Sequence, residues 1–189
     1  MNNFYAIISR MKYILRWGLM RNITQENLLE HSHQTAILAH ALATIENERC
    51  GGNVNADKAA VLALYHDSAE IITGDLPTPI KNLSPELAKS YDKAEQTAYK
   101  LLLSRLPEDL RGSYAKILDY KNDPLYPYVK AADLLSAYIK CIQELDAGNK
   151  EFKTAKESLG KKIEAFPLPS LKIFVEEFLP SFIQTLDQQ

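Results

Sequence analysis

The sequence predicts an all-α protein, an irregular globule of packed helices. Three observations carry this. The alternation of β-branched residues expected of half-buried strands is nearly absent. Apolar residues recur instead at helical spacing along most of the chain. Caps and breakers (Asn55, Ser84-Pro85, Gly51-Gly52, Gly148-Asn149) divide it into helix-length pieces. At 189 residues the chain suits one domain spanning 1–189, large enough to hold a core without disulfides or structural metals.

The elements follow in order. Phe4, Ile7, Ile8 and Met11 share one side of a short helix over residues 3–14. Residues 16–25 read as a loop, and a long helix over 27–47 follows, with Leu28, Leu29, Ala36, Ala39 and Ala43 among its apolar residues. Gly51-Gly52-Asn53 ends it. Asn55 caps the next helix, which carries Ala59, Ala60, Leu62 and Ala63 and runs on through His66. Gly74 and Pro77-Thr78-Pro79 break the pattern, so residues 75–79 read as a stiff loop. Ser84 caps a helix with proline at its first position, running to Leu106. A smaller helix covers 110–120, and Pro124 and Pro127 precede another over 128–147. Two helical stretches around Pro167 and Pro169 close the chain. The proline breaks favour irregular packing over a symmetric four-helix bundle.

Charge excludes some functions. A formal net charge of -2 gives no whole-molecule field toward nucleic acid or an anionic membrane, so neither is an expected partner. An anionic small molecule would have to be held by local charge. Cys50 and Cys141 lack metal-type spacing and read most simply as free thiols in a reducing compartment. The first 20 residues mix apolar residues with Arg10, Lys12 and Arg16, which reads as neither a signal peptide nor a membrane span. The expected location is the cytoplasm.

The chemistry-bearing residues are His31, His66-Asp67, Glu70 and Asp133. Two imidazoles and two carboxylates (His31, His66, Asp67, Asp133) suit one divalent transition metal: Co, Mn, Zn, Ni, Fe or Cu. His33 lies roughly 200° around the helix from His31, so the two cannot face one ion. His33 and His40 therefore read as packing or surface residues. Each signal is weak alone. A lone helical histidine is more often packed than liganding. Asp133 could equally be an exposed carboxylate paired with Lys130 or Lys140. Glu70, one helical turn beyond His66, is a candidate to move protons, and its ordinary alternative is a solvated carboxylate. Asp75 is a second acid/base candidate.

The ordered series His31, His66-Asp67, Asp133 resembles that of the HD-domain phosphohydrolases. Arg16-Trp17, Asn53-Val-Asn55, Glu70, Gly74-Asp-Leu-Pro-Thr-Pro79 and Ala147-Gly-Asn149 together resemble the bacterial 5′-deoxynucleotidases (YfbR-like) of that superfamily. The similarity runs from about residue 4 to 183. It implies an HD-domain fold and metal-dependent hydrolysis of a deoxyribonucleoside 5′-monophosphate, with His31, His66, Asp67 and Asp133 as metal ligands. It also implies substrate contacts from Arg16, Trp17, His31, His66, Asp75, Thr78 and Asp133, catalytic roles for Arg16, Glu70 and Asp75, and a homodimer. Arg16 suits phosphate because guanidinium offers a planar fork of donors. Trp17 could exclude a ribose 2′-hydroxyl. Their ordinary alternatives are a solvated arginine and a core anchor. Lys81 could add positive charge. The apolar stripe Phe174, Val175, Phe178, Leu179, Phe182, Ile183 could form an interface or pack on its own core. Two rival functions stand beside this: another HD-domain enzyme (a cyclic-nucleotide phosphodiesterase or a nucleotide triphosphohydrolase), or a non-catalytic helical interaction module.

Overall fold

The structure is a computed structural model that describes residues 2–81 and 83–188. Among these residues it is built of α-helices and short 3-10 turns, with no strand beyond an isolated antiparallel bridge between Leu15 and Asn27. Among the described residues, no helix is long and apolar enough to cross a membrane.

Helix α1 (Phe4–Ile8) passes into a 3-10 segment over Ser9–Tyr13, so the single helix expected over 3–14 is split. Phe4 and Met11 remain its buried anchors. The loop that follows is closed at its base. The Arg16 backbone N–H donates to the Glu26 carbonyl at 3.0 Å, and the Leu28 N–H to the Ile14 carbonyl at 2.9 Å. That bridge ties the loop to the start of helix α2 (Leu28–Arg49). Asn27 and Glu30 form a reciprocal capping box at its N-terminus, satisfying donors that a helix start leaves open. One side of α2 buries Leu28, Leu38, Ala39, Leu42 and Ala43, while His33 and His40 are exposed, the second of the two places expected for them.

Asn55 caps α3 (Ala56–Tyr65) by accepting the Lys58 N–H. Here the structure departs from the expected helix through His66. Ordinary helical bonding stops at Tyr65, and residues 66–69 form turns. The next bonds (Ser68 N–H to Tyr65, Glu70 N–H to Asp67, Ile71 N–H to Ser68) skip three residues rather than four. This tighter winding brings residues three apart into line, so Glu70 follows Asp67 rather than His66. A single-turn helix, α4 (Glu70–Thr73), ends at Gly74, whose φ of 76° is the left-handed conformation that glycine adopts without steric cost. The chain then turns into Asp75. The expected stiff loop is shorter than 75–79, because Thr78 and Pro79 open a second short helix, α5 (Thr78–Lys81).

Ser84 and Pro85 start α6 (Pro85–Ser104), and α7 (Glu108–Leu118) follows. Helix α8 (Tyr126–Asp146) begins with Pro127 in its first turn and supplies the largest share of the core, including Val129, Ala131, Ala132, Leu135 and Ile139. Helices α9 (Lys153–Glu164) and α10 (Pro169–Glu177) complete the set. Helix α2 packs on α3, α8 and α10. The core runs continuously from Phe4 to Leu179. In the C-terminal stripe, Phe174 and Leu179 are buried, Val175 and Phe182 partly buried, and Phe178 and Ile183 exposed. Its inner half therefore packs on the chain's own core.

Candidate metal and substrate site

Helices α2 and α8 and the turn after α3 converge on one point. His31 comes from the first turn of α2, Asp133 from the second turn of α8, and His66 and Asp67 from the turn. Nitrogens of His31 and His66 and a carboxylate oxygen of Asp133 all lie within 4.8 Å of one another. His31 Nε2 lies 3.4 Å from Asp133 Oδ1 and 3.4 Å from Asp67 Oδ2, and His66 Nε2 lies 3.1 Å from that same Asp67 oxygen. Two ligands held about 2.1 Å from a shared ion sit about 3.0 Å apart at a right angle and about 3.4 Å apart at a tetrahedral angle. The observed separations match those edges. The tight turn makes this possible: adjacent His66 and Asp67 both reach the same space.

The histidines are prepared for ligation. His66 Nδ1 donates to the Ala63 carbonyl at 2.7 Å, so Nε2 carries the lone pair. That Nε2 is buried and has no hydrogen bond of good geometry. The Tyr99 hydroxyl donates to the His66 carbonyl at 2.6 Å and holds its backbone. For His31, Ser136 is the relay. Its hydroxyl donates to Gln34 Oε1 at 2.8 Å, so its oxygen accepts from His31 Nδ1 at 3.1 Å, and His31 Nε2 faces the Asp67 and Asp133 carboxylates with the Thr35 hydroxyl 3.5 Å away. An orphaned imidazole nitrogen deep in a protein needs a partner. A divalent cation fits that need.

The local charge says the same. Glu26, Asp67, Glu70, Asp75 and Asp133 surround the cationic side chains of Arg16 and Lys130. Burial opposes charging Asp67, but His66 and His31 outweigh it and hold this carboxyl well below the usual range. Burial likewise opposes charging Asp133, and Lys130, 2.7 Å away, helps drive it the other way. Asp133 pairs with Lys130, yet it is only partly exposed and an oxygen of its carboxylate lies within 4.8 Å of the His31 and His66 nitrogens. For His66, burial disfavours the imidazolium, yet the Asp67 and Asp133 carboxylates raise its pKa. Glu70 behaves differently. Burial, then the neighbouring Asp67 and Asp75 charges, push it well above the carboxylate range, and its Oε2 is buried without a hydrogen bond. Asp75 is also raised, first by burial.

Arg16 and Trp17 lie beside this cluster. Arg16 Nη1 lies 3.4 Å from Asp67 Oδ2, and its Nε bonds Glu26 Oε2 at 3.2 Å. Trp17 packs on Phe152 with ring centroids 5.3 Å apart. Its φ of 59° is left-handed, a conformation costing a non-glycine residue about 1 kcal/mol or more. Thr78 lies exposed at the start of α5. Lys81 turns away toward α6, with its ammonium 4.4 Å from the Tyr91 ring and 3.7 Å from Glu95, so it adds no charge to the cluster. The groove of about 420 Å³ between α4 and α6, lined by Ile72, Thr73, Tyr91 and Leu101, holds none of the candidate ligands.

Known proteins resemble this chain in sequence and fold. The family described as 5′-deoxynucleotidase YfbR-like matches residues 3–182. The chain belongs to that family. A protein of Yersinia pestis (strain Pestoides F) named 5′-deoxynucleotidase is 47% identical over the whole chain and 96% of its own length. A Photorhabdus temperata protein named 5′-deoxynucleotidase yfbR is 48% identical over the same shares. Among solved structures, an HD-domain phosphohydrolase from Listeria innocua superposes with a TM-score of 0.84 at 23% identity, covering 97% of this chain and 90% of that one. The cyanophage S-2L HD phosphohydrolase DatZ, bound to dA and one catalytic zinc ion, gives 0.62 at 20% identity over 93% and 96%. The fold of this YfbR-like chain is thus the HD-domain fold, as the sequence led one to expect.

Glu26, Gln34, Tyr99 and Ser136 sit around the YfbR-like site and were not singled out from the sequence. Two carried a usable signal. Gln34 is three residues from His31, and Ser136 three from Asp133, so each shares a helix face with a candidate ligand.

Proposed function

We propose that the chain hydrolyses deoxyribonucleoside 5′-monophosphates to deoxynucleoside and phosphate, using one divalent transition metal held by His31, His66, Asp67 and Asp133. The observation that carries this is the buried, unbonded Nε2 of His66, 3.1 Å from Asp67 and facing His31 and Asp133. Membership in the YfbR-like family supports the substrate class.

When bound, the ion supplies a nucleophile by lowering the pKa of a coordinated water and shields the charge of the phosphate oxygens. The remaining work falls to side chains. Arg16 presents its remaining guanidinium N–H groups to phosphate, with Asp67 and Glu26 fixing its orientation. Glu70, whose pKa is raised by burial and by its carboxylate neighbours, gives a proton to the leaving 5′-oxygen. Asp75, just beyond Gly74, positions the attacking water or the substrate. Thr78 contacts the substrate from the start of α5. Trp17 walls the sugar against a 2′-hydroxyl.

The same reading treats residues 1–189 as one domain of a cytoplasmic homodimer. The continuous core supports the first, the two free cysteines the compartment, and the exposed Phe178 and Ile183 a dimer contact. The ligand set accepts Co, Mn, Zn, Ni, Fe or Cu as the ion.

A phosphate-release screen tests the function. Protein stripped with EDTA is given nucleoside mono-, di- and triphosphates with added Mn, Co, Mg or Zn. Release from dAMP, dependent on metal, is expected. Consumption of triphosphates, or of cyclic nucleotides added to the screen, followed as loss of the starting nucleotide and without phosphate from dAMP, would favour the other HD-domain chemistries, and no turnover of any would favour a binding module.

A further inference from the structure

Glu26 lies in the loop that precedes α2, and one of its oxygens does two jobs. Oε2 accepts from Arg16 Nε at 3.2 Å and from Trp17 Nε1 at 2.9 Å. The bridge that pairs the Arg16 backbone with Glu26 sets this carboxylate opposite the Arg16-Trp17 pair, and its side chain is only 11% exposed. Trp17 keeps its left-handed backbone while the carboxylate on one side and the Phe152 ring on the other hold the indole. The same segment runs directly into the capping box of α2, the helix that carries His31. Glu26 therefore joins the Arg16-Trp17 pair to that helix.

We propose that Glu26 is a positioning residue that sets the phosphate clamp and the sugar wall together, so that turnover and deoxy-over-ribo selectivity depend on a single carboxylate oxygen. This rests on the deoxynucleotidase reading above. A hydrogen bond to an ionised carboxylate is roughly twice as strong as a neutral one, and Oε2 makes one to each of the two side chains. Glu26 contacts no reacting atom in this account. It acts through Arg16 and Trp17.

The test uses Glu26→Gln, which keeps the shape but loses the charge, and Glu26→Asp, which keeps the charge but loses reach. Both are assayed in the metal-loaded protein for dAMP and AMP hydrolysis. Loss of a charged hydrogen bond should lower kcat/KM for dAMP by about tenfold to a hundredfold in Glu26→Gln. The dAMP-to-AMP ratio should fall with it. A merely structural role cannot move that ratio, because a smaller folded fraction lowers both rates alike. Trp17 is the only tryptophan, so its emission reports the indole directly, and a shifted maximum with easier acrylamide quenching is expected in both variants. A wild-type protein that turns over dAMP, beside variants with an unchanged ratio, would overturn the inference alone. A wild-type protein without dAMP turnover would overturn the parent reading and this one with it.

Discussion

Ser136 accepts the Nδ1 proton of His31 at 3.1 Å while giving its own hydroxyl proton to Gln34. That relay decides which imidazole nitrogen faces the candidate metal. Ser136→Ala removes the acceptor and frees the ring to change tautomer or rotate. Partners that orient a liganding histidine are typically worth about 10–100-fold in metal affinity. The expected result is a weaker metal dissociation constant by that factor, read by titrating metal into stripped protein while following phosphate release or heat. Unchanged affinity would mean that the Nδ1 contact does not fix the ring.

Glu70 and Asp75 both bear raised pKa values, but Glu70 is the more buried and has an oxygen without a hydrogen bond. Glu70→Gln should lower kcat by roughly 10²–10⁴-fold, the usual worth of a positioned general acid. Metal affinity should stay near wild type. The companion variant Asp75→Asn should cost less. If the two outcomes were exchanged, the proton would be Asp75's to move.

The fold was largely legible because its signals are local. Asn55, Ser84-Pro85 and Gly74 mark helix ends by their own backbone chemistry, and each stands where the structure uses it. The candidate ligand set was legible only as an ordered series of residue types. His31 is a common packed histidine until Asp133 arrives from more than 100 residues away. What could not be read was geometry that depends on winding and tertiary placement. The switch to three-residue bonding after Tyr65 leaves no clear mark in Tyr65-His66-Asp67-Ser68, yet it sets which residue Glu70 follows. Glu26 was invisible for the same reason. Its role comes from a two-bond bridge closing a loop, and no periodicity records that.

Trp17 offers the sharpest test of substrate choice. Trp17→Ala removes the indole, its bond to Glu26 and its packing on Phe152. An apolar wall rejects an added hydroxyl by up to roughly a hundredfold. The dAMP-to-AMP ratio of kcat/KM should fall by a factor in that range, mostly through better AMP turnover. An unaltered ratio would assign the discrimination elsewhere.

The far side of the same loop is held by a buried pair. Lys140 Nζ lies 2.5 Å from Glu144 Oε1 and also donates to the Thr24 carbonyl. Glu144 accepts the backbone N–H groups of Ile23 and Thr24 at 2.9 and 3.0 Å, and the Asn149 amide at 2.7 Å. Burial alone would raise the Glu144 pKa. Lys140, the two amides and Asn149 outweigh it and carry it from its ordinary 4.5 down to about 2. A carboxylate whose folded pKa is depressed binds fewer protons folded than unfolded, so its contribution to stability is fully present above 4.5 and fades as pH falls toward 2. Glu144→Gln strands the Lys140 charge and should cost about 3 kcal/mol at neutral pH. The gap between wild type and variant, measured by urea unfolding from about pH 7 to about pH 3.5, should narrow as the medium becomes acidic. A gap that stayed constant across that range would show that the ion pair is not what secures residues 23–24 to α8.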